Sequence, residues 1–506
     1  MEKIRKRKAR IPHSQKSLSS SPEAKDVFPS VKENIDYIRE QLVHSDDILE
    51  RDIYFDDRHG KLIFIETLTD KYLIIESILK PLEQAKVGAV EHAITSSDFE
   101  IGKSLDKAVN WIISGKCLLF LEGIPEVYVC EASLSIKRGV KEPDNEGIVR
   151  GAHDGFIEHL ITNIHIIRNR LENPNLVVRY FTLGRKSDTK IALVYMKGLA
   201  KEELVEEISR RLNLIPTDFI LAPGFIGEYI EDDSYSPFPQ LLYTERPDRT
   251  IAYLMEGRFA IFSEANPTAI IAPVTLFSFY QSPDDYHSRW MFGSLIRSIR
   301  FASFLIAFIL PGLYISIVTF HPEVLPIELI YSVKSSIERV PYPSLIEAFF
   351  MELTLELIRE AGIRLPTRVS QTIGIVGGLV IGDSVVQTGL VSLPMIIVVA
   401  LTAISAFVVP SHEMSSTVRL LRFPLMIAAS MFGFIGMTTG LFLIFTHLAK
   451  LETFGNPYFS PVMPFKLKGF KDTFIRFPLW HLNKSTKDST PDQRNSEKAI
   501  LGEGRK

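Results

Sequence analysis

Formal charge is what the last third of this chain lacks. Between Arg368 and Glu413 only Asp383 carries one, and from Phe301 to Phe320 and from Phe423 to Ala449 there is none. An uncharged run of about 20 residues rises roughly 30 Å as a helix, the hydrocarbon thickness of a bilayer, which argues against a purely soluble protein. Cysteine is nearly absent: Cys117 and Cys130 are the only two in 506 residues. That excludes a disulfide framework, and the pair reads as buried thiols on neighbouring strands around the turn LEGIPE. No HExxH or similar spacing marks a metal site, no elbow presents a nucleophilic serine, and no glycine-rich loop follows a strand to cradle phosphate. Neither cofactor, metal nor enzyme activity is expected. The basic N-terminus precedes no apolar stretch, so it does not read as a signal peptide and the soluble part is expected to stay cytoplasmic. With no aromatics among its Lys and Arg residues, weak attraction to anionic membrane lipid suits it better than nucleic acid.

What is present divides at Arg300. Before it, charged and apolar residues mix with the periodicities of helices and strands, and the whole-chain values of 46% hydrophobic, 23% charged and net charge -3 conceal the change that follows. The expected fold is an α/β soluble N-terminal region of two small α/β domains, followed by an all-α polytopic membrane domain. The divisions are a disordered basic arm (1–30), a first domain (31–138), a Gly- and Pro-containing linker (139–155) and a second domain (156–265). A membrane domain (266–450), a juxtamembrane segment (451–482) and a disordered tail (483–506) follow. Four spans are expected: 299–320, 369–391, 393–409 and 423–448. The segments 268–280 and 344–360 are candidates to dip into the membrane without crossing. TIAYLMEGRFAIFSEAN reads as a hairpin.

Three constellations stand out. Gly374, Gly378 and Gly382 recur every four residues and share one helix face, which permits close helix approach in lipid. That face packs within one protomer or lines a ring of subunits, and a weaker repeat, Ala429, Gly433, Gly436 and Gly440, lies in the last span. Asp383 is costly within an apolar run unless it meets water, a partner or an ion, or it caps a helix end. Val376 and Val380, one turn apart, would form an apolar constriction if that helix lined a pore. Glu352, Glu356 and Glu360 stack on one helix stripe, where like charges repel. They form a solvated face or an acidic vestibule that gathers cations.

The strings SPFPQLLYTERPD, QSPDDYHSRW, FMELTLELIREAGIRLP, IVGGLVIGDSVVQTGLVS, ALTAISAFVVPS, LLRFPLMI and FGNPYFSPVMPF resemble, in this order, the GerA family, the A subunits of bacterial spore nutrient-germinant receptors. The resemblance implies a multi-pass protein of the spore inner membrane that acts with a permease-like B subunit and a lipoprotein C subunit. It also implies a homo-oligomeric ring, proposed to be a pentamer, forming a nutrient-gated cation channel. Carried onto this chain, the pore candidates are Val376, Val380, Asp383 and Gln387. The linker departs from the family pattern, with Gly151-Ala152-His153-Asp154-Gly155-Phe156 where Gly-Pro-Arg-Glu/Asp-Gly-Phe is more usual. Two alternatives are a non-conducting membrane scaffold and a sporulation paralogue that clusters receptors; a transporter would want inverted repeats, which the sequence does not show.

Overall fold

The computed structural model describes residues 25–85, 88–134, 143, 146–147, 151–364 and 387–478. It falls into two compact units, Met1–Lys137 with Arg168–Val177, and Arg138–Ile167 with Val178–Lys506.

The first unit is built on one five-stranded sheet. Helix α1 (Val31–Gln41) leads into strands β1 (Ile48–Phe55) and β2 (Arg58–Ile65). Helices α2 (Lys71–Ile74) and α3 (Lys80–Ala85), joined by a π turn, and then α4 (Val90–Ala93) precede β3 (Phe99–Gly102). Helix α5 (Leu105–Ile113) and strands β4 (Lys116–Leu121) and β5 (Val127–Glu131) complete it. The order is β1-β2-β4-β5-β3, with antiparallel neighbours. Because successive side chains of a strand point to opposite faces, Leu118 and Phe120 join α1 and α5 in one apolar layer, while Cys117, Leu119 and Leu121 join α2, α3 and α4 in the other. Both faces are covered, so β4 is a continuous apolar run. Cys117 and Cys130 are paired across β4 and β5 as free thiols, and burial pushes Cys130 up to about 12, so neither is a reactive thiolate near neutral pH.

The second unit repeats the scheme, although residues 168–177 of the elements that follow belong with the first unit. Helix α6 (Leu160–Arg170), strands β6 (Leu176–Leu183) and β7 (Thr189–Met196), helices α7 (Glu202–Leu214) and α8 (Pro223–Ile230), strand β8 (Leu242–Thr244), helix α9 (Pro247–Met255) and strands β9 (Phe259–Ser263) and β10 (Ala269–Ala272) follow one another. The sheet order is β6-β7-β9-β10-β8, which is the order of the first sheet with each strand replaced by its counterpart. The hairpin expected at TIAYLMEG is instead α9 followed by β9. Pro247 occupies the first helical turn, where its missing N–H costs nothing, and Thr250, Tyr253 and Leu254 are buried at helical spacing. Residues 269–272, expected to dip into the membrane, form β10, every residue of which is buried in the sheet.

A short helix α10 (Asp284–His287) then leads into the apolar part: α11 (Trp290–Phe320), α12 (Ile327–Ile337), α13 (Ser344–Arg364), α14 (Leu393–Phe407) and α15 (His412–Lys450). Among the described residues, α11 and α15 are long and apolar enough to cross a membrane. The span expected over 369–391 lies largely outside the described residues. The one expected over 423–448 is not a single rod, because Gly433 has φ 58° and ψ -137°, which folds α15 into a hairpin. A Cβ on Gly440 would stand 2.9 Å from Leu425 of the other leg, and one on Gly436 would strike the carbonyl of Ala428. The glycine repeat of this span therefore lets two legs of the same chain lie side by side, each rising roughly 25–30 Å. Pro424 lies inside the first leg. Phe308, Ile315, Met351, Met395, Met426 and Ala429 fill the bundle between α11, α13, α14 and α15.

Candidate functional site

The glycine-faced segment is not where the described charges gather. Gly374, Val376, Gly378, Val380, Gly382 and Asp383 all lie outside the described residues, and Gln387, just beyond them, is exposed. The described site is the seam where the second sheet meets the helical bundle.

It begins at Asp285 in α10, 1% exposed. Its carboxylate accepts from Arg297 Nε at 3.0 Å and from Arg300 Nη1 at 2.7 Å. The two arginines lie three apart on the first turns of α11, hence on one face. Arg297 also donates to Asp472 Oδ1 at 2.8 Å, and the tail returns Arg476, which donates to the backbone carbonyls of Asp285 at 2.6 Å and Ser288 at 2.8 Å. Three arginines thus face two aspartates, and Arg297 Nη2 and Arg476 Nε have no hydrogen-bond partner among the described residues. Both guanidiniums lie over the ring of Tyr286, 5.6 and 5.2 Å from its centre, and the Tyr286 hydroxyl donates to Asp472. The ring face takes up part of the surplus positive charge.

A second tie runs through α9. Arg249 donates to Glu146 Oε1 at 2.5 Å and to the carbonyls of Ser278 and Gln281 at 3.1 and 3.3 Å. Arg246, 1% exposed, forks onto Asp248 and reaches the carbonyls of Glu146 and Ala152. Glu146 and Ala152 of the linker are therefore held against this unit. A third tie joins the sheet's loop to both ends of the α15 hairpin: Thr417 donates to the carbonyl of Pro237 at 2.6 Å, and His447 Nε2 lies 2.8 Å from Ser236 Oγ. Beside this contact is a cavity of about 610 Å³ whose lining includes Glu228, Glu231, Tyr243, His412 and Glu413. Burial, with the negative charge of Glu228, Asp232 and Glu413, pushes Glu231 up to about 7.

Deeper in the bundle, the glutamate stripe of α13 meets arginines of the last helix and of its own end. Glu352 accepts from Arg422, and each is 2% exposed; Arg422 Nε also donates to the carbonyl of Ala307 at 2.9 Å. Glu356 accepts from Arg419 at 2.5 Å, and Glu360 pairs with Arg364 of its own helix at 2.6 Å. Each carboxylate of the stripe thus has an arginine partner within the chain, buried at Glu352 and exposed at Glu360. Above them Glu347, 1% exposed, accepts at Oε1 from both the amide and the hydroxyl of Ser392, 2.5 Å each, and so caps α14. Sequence reading missed Asp285, Arg297, Arg300, Asp472 and Arg476. The available signal was the cluster of arginines closing on the point where charge stops, the last place a cation can sit before the hydrocarbon. No group of His, Cys, Asp or Glu among the described residues is arranged to hold a metal.

The chain is 38% identical over 465 residues to spore germination protein KA of Bacillus subtilis, covering 90% of this chain and 86% of that protein. It is 36% identical over 480 residues to spore germination protein GerLA of Bacillus cereus, covering 92% and 97%. It is also 36% identical over 485 residues to the uncharacterized membrane protein YfkQ of B. subtilis, covering 94% of each. Among solved structures, the crystal structure of the N-terminal domain of the A subunit of the Bacillus megaterium spore germinant receptor GerK3 matches with 24% identity and a TM-score of 0.38. It covers 50% of this chain and 98% of that one. The profile of the Bacillus/Clostridium GerA spore germination proteins matches residues 36–488, and the chain belongs to that family.

Proposed function

We propose that this protein is the A subunit of a spore germinant receptor, a multi-pass protein of the spore inner membrane that takes part in nutrient-triggered germination with permease-like B and lipoprotein C subunits. The family match along nearly the whole chain carries the reading. The geometry adds a means of transmission: a sheet fixed to a helical bundle by buried arginine–carboxylate contacts moves with it, so a partner that displaces one displaces the other. Such a signal needs no covalent chemistry, only differential binding to two arrangements, worth a few kcal/mol.

The output is an oligomeric, nutrient-gated cation path lined by the segment carrying Val376, Val380, Asp383 and Gln387. The resemblance and the glycine face at 374, 378 and 382 support that assignment. Deletion of the gene from its spore-forming host should abolish the response to at least one nutrient while a non-nutrient trigger still works; an intact response to every nutrient overturns the receptor reading. Purified receptor in liposomes should pass K⁺ when nutrient is added. Val380→Ala should leak without it, and a tight Val380→Ala channel removes this segment from the gate.

A further inference from the structure

Residues 461–467, on the returning tail, present Met463, Phe465 and Leu467 at 53%, 69% and 73% exposure, with Lys466 exposed between them. Apolar side chains this open, clustered in a few residues, mark a contact surface. Their neighbours say where the surface stands. Phe465 lies against Phe470 at 5.4 Å between ring centres, Phe470 against Phe474 at 5.7 Å, and Phe474 edge-on against Phe301 at 4.7 Å. Phe301 is the first residue of the uncharged run of α11, where the helix enters hydrocarbon. Just before the loop, Phe459 lies 6.1 Å from Phe445, near the end of the returning leg of α15. The loop thus hangs from the near ends of two apolar helices. On the face of α11 turned away from the tail, Leu295 and Ile299 are also exposed, at 56% and 50%.

We infer that residues 461–467 form a foot that enters the lipid headgroup boundary, with Met463, Phe465 and Leu467 among the upper acyl carbons and Lys466 at the phosphates. Aromatic and long apolar side chains with a snorkelling lysine suit that layer. Lipid, not another protein, is the occupant because the loop hangs from Phe301 and Phe445, at the near ends of two apolar helices, which puts its exposed side chains at the depth where hydrocarbon begins. Anchored through Asp472 to Arg297 and through Arg476 to the carbonyls of Asp285 and Ser288, the foot holds the seam at a fixed depth. The inference rests on α11 lying in the membrane, which the test checks separately.

The test uses the full chain in nanodiscs with a bimane fluorophore on a single introduced cysteine, Phe465→Cys or Leu467→Cys; the native Cys117 and Cys130 are fully buried. Brominated acyl chains should quench both labels more than aqueous iodide does, and adding Lys466→Glu should shift the balance toward iodide. Leu305→Cys, on α11 within the uncharged run, should be quenched by lipid alone. Labels at 465 and 467 that respond only to iodide, or to neither quencher, while the one at 305 responds to lipid, overturn the foot; the second pattern would mean that a partner subunit or the chain's own last residues cover it. A label at 305 silent to lipid overturns the membrane placement itself.

Discussion

The two sheets share one topology, β1-β2-β4-β5-β3 and β6-β7-β9-β10-β8, and treat buried charge differently. In the first unit Asp47 is fully buried, yet every contact is matched. Oδ1 accepts from Ser45 at 2.7 Å and from Arg168 Nη2 at 2.7 Å, and Oδ2 accepts from Thr67 at 2.8 Å and from Arg168 Nε at 2.6 Å. In the second unit Asp285 meets two arginines and a third closes over its carbonyl, with Arg297 Nη2 and Arg476 Nε left without a hydrogen-bond partner among the described residues. A fully satisfied buried pair has one good arrangement and acts as a fastener. A surplus of one sign has contacts to gain by moving, which is what an element with two arrangements needs. The same fold therefore serves once as a closed domain and once as the upper half of a seam.

The sharpest way to break this contrast is to remove each aspartate in turn. Asp47→Ala and Asp285→Ala each strand buried guanidinium charge, at a cost of about 3–5 kcal/mol. The expected difference is in what fails. Asp47→Ala should make Cys117 and Cys130 reactive toward thiol reagents in detergent solution while protease resistance of the bundle persists. Asp285→Ala should loosen the bundle and leave both thiols protected. Equal thiol exposure in both variants would mean that the two sheets unfold as one body.

The arginines deeper in the bundle sharpen the comparison by asking whether charge there is needed or only matched. Arg422→Leu leaves Glu352 unpaired and should cost about 3–5 kcal/mol, whereas Arg422→Leu with Glu352→Leu should recover most of it, because a buried pair against well-packed apolar residues is often near neutral. The readout is the thermal midpoint of the purified chain. A double variant that germinates normally would assign the pair to packing; one that is stable but unresponsive would assign it to the signal.

Much of this architecture is legible in the sequence where burial leaves a period. The apolar spacing of α1, α5 and α7 and the uninterrupted KCLLFL of β4 give their elements away, because one helix stripe or both strand faces are covered. Reading TIAYLM as a strand fails for a physical reason: Thr, Ile and Tyr favour strands locally, but Arg249, Thr250 and Tyr253 bury at helical spacing, and Pro247 with Asp248 supplies a helix start. The duplicated topology is invisible because it resides in strand order, while the equivalent helices α5 and α9 bury different chemistry, Leu105, Ala108 and Ile112 against Arg249, Thr250 and Tyr253. The seam is illegible for a related reason. Its members stand at 285, 297, 300, 472 and 476, and only the returning tail brings the last two to the first three. The hairpin at Gly433 escapes because glycines four apart serve equally two helices that cross and two legs that fold back.

Gly433 offers a smaller effect. Its φ of 58° with ψ of -137° is open to glycine and strained for any residue with a Cβ, which would also stand 3.1 Å from Phe320 and His321. Gly433→Ala should cost about 1–3 kcal/mol, seen as a lower thermal midpoint. Gly224→Ala in α8, where a Cβ meets nothing within 4 Å, should be neutral or raise it by up to about 1 kcal/mol. Equal behaviour of the two variants would mean that the last helix does not turn at Gly433.

The smallest expected effect concerns pH and falls on the cavity beside the hairpin ends. Glu231 is pushed up to about 7 by burial, with help from the negative charge of Glu228, Asp232 and Glu413, whereas an unfolded glutamate titrates near 4.3. Between those values the folded state holds the extra proton, so its advantage is complete below about 4.3, shrinks as pH rises and is gone above about 7. Glu231→Gln removes that fall. The wild-type unfolding midpoint should therefore decline from about pH 5 to about pH 8 more steeply than that of Glu231→Gln, and the two should differ most at the alkaline end, where the wild type carries a half-buried negative charge that the amide lacks. In the first unit Asp47→Asn turns an oxygen that accepts two hydrogen bonds into a donor and should lower the midpoint. Parallel slopes for wild type and Glu231→Gln would place the charge of Glu231 in open water and return the cavity to the status of a solvent-filled cleft.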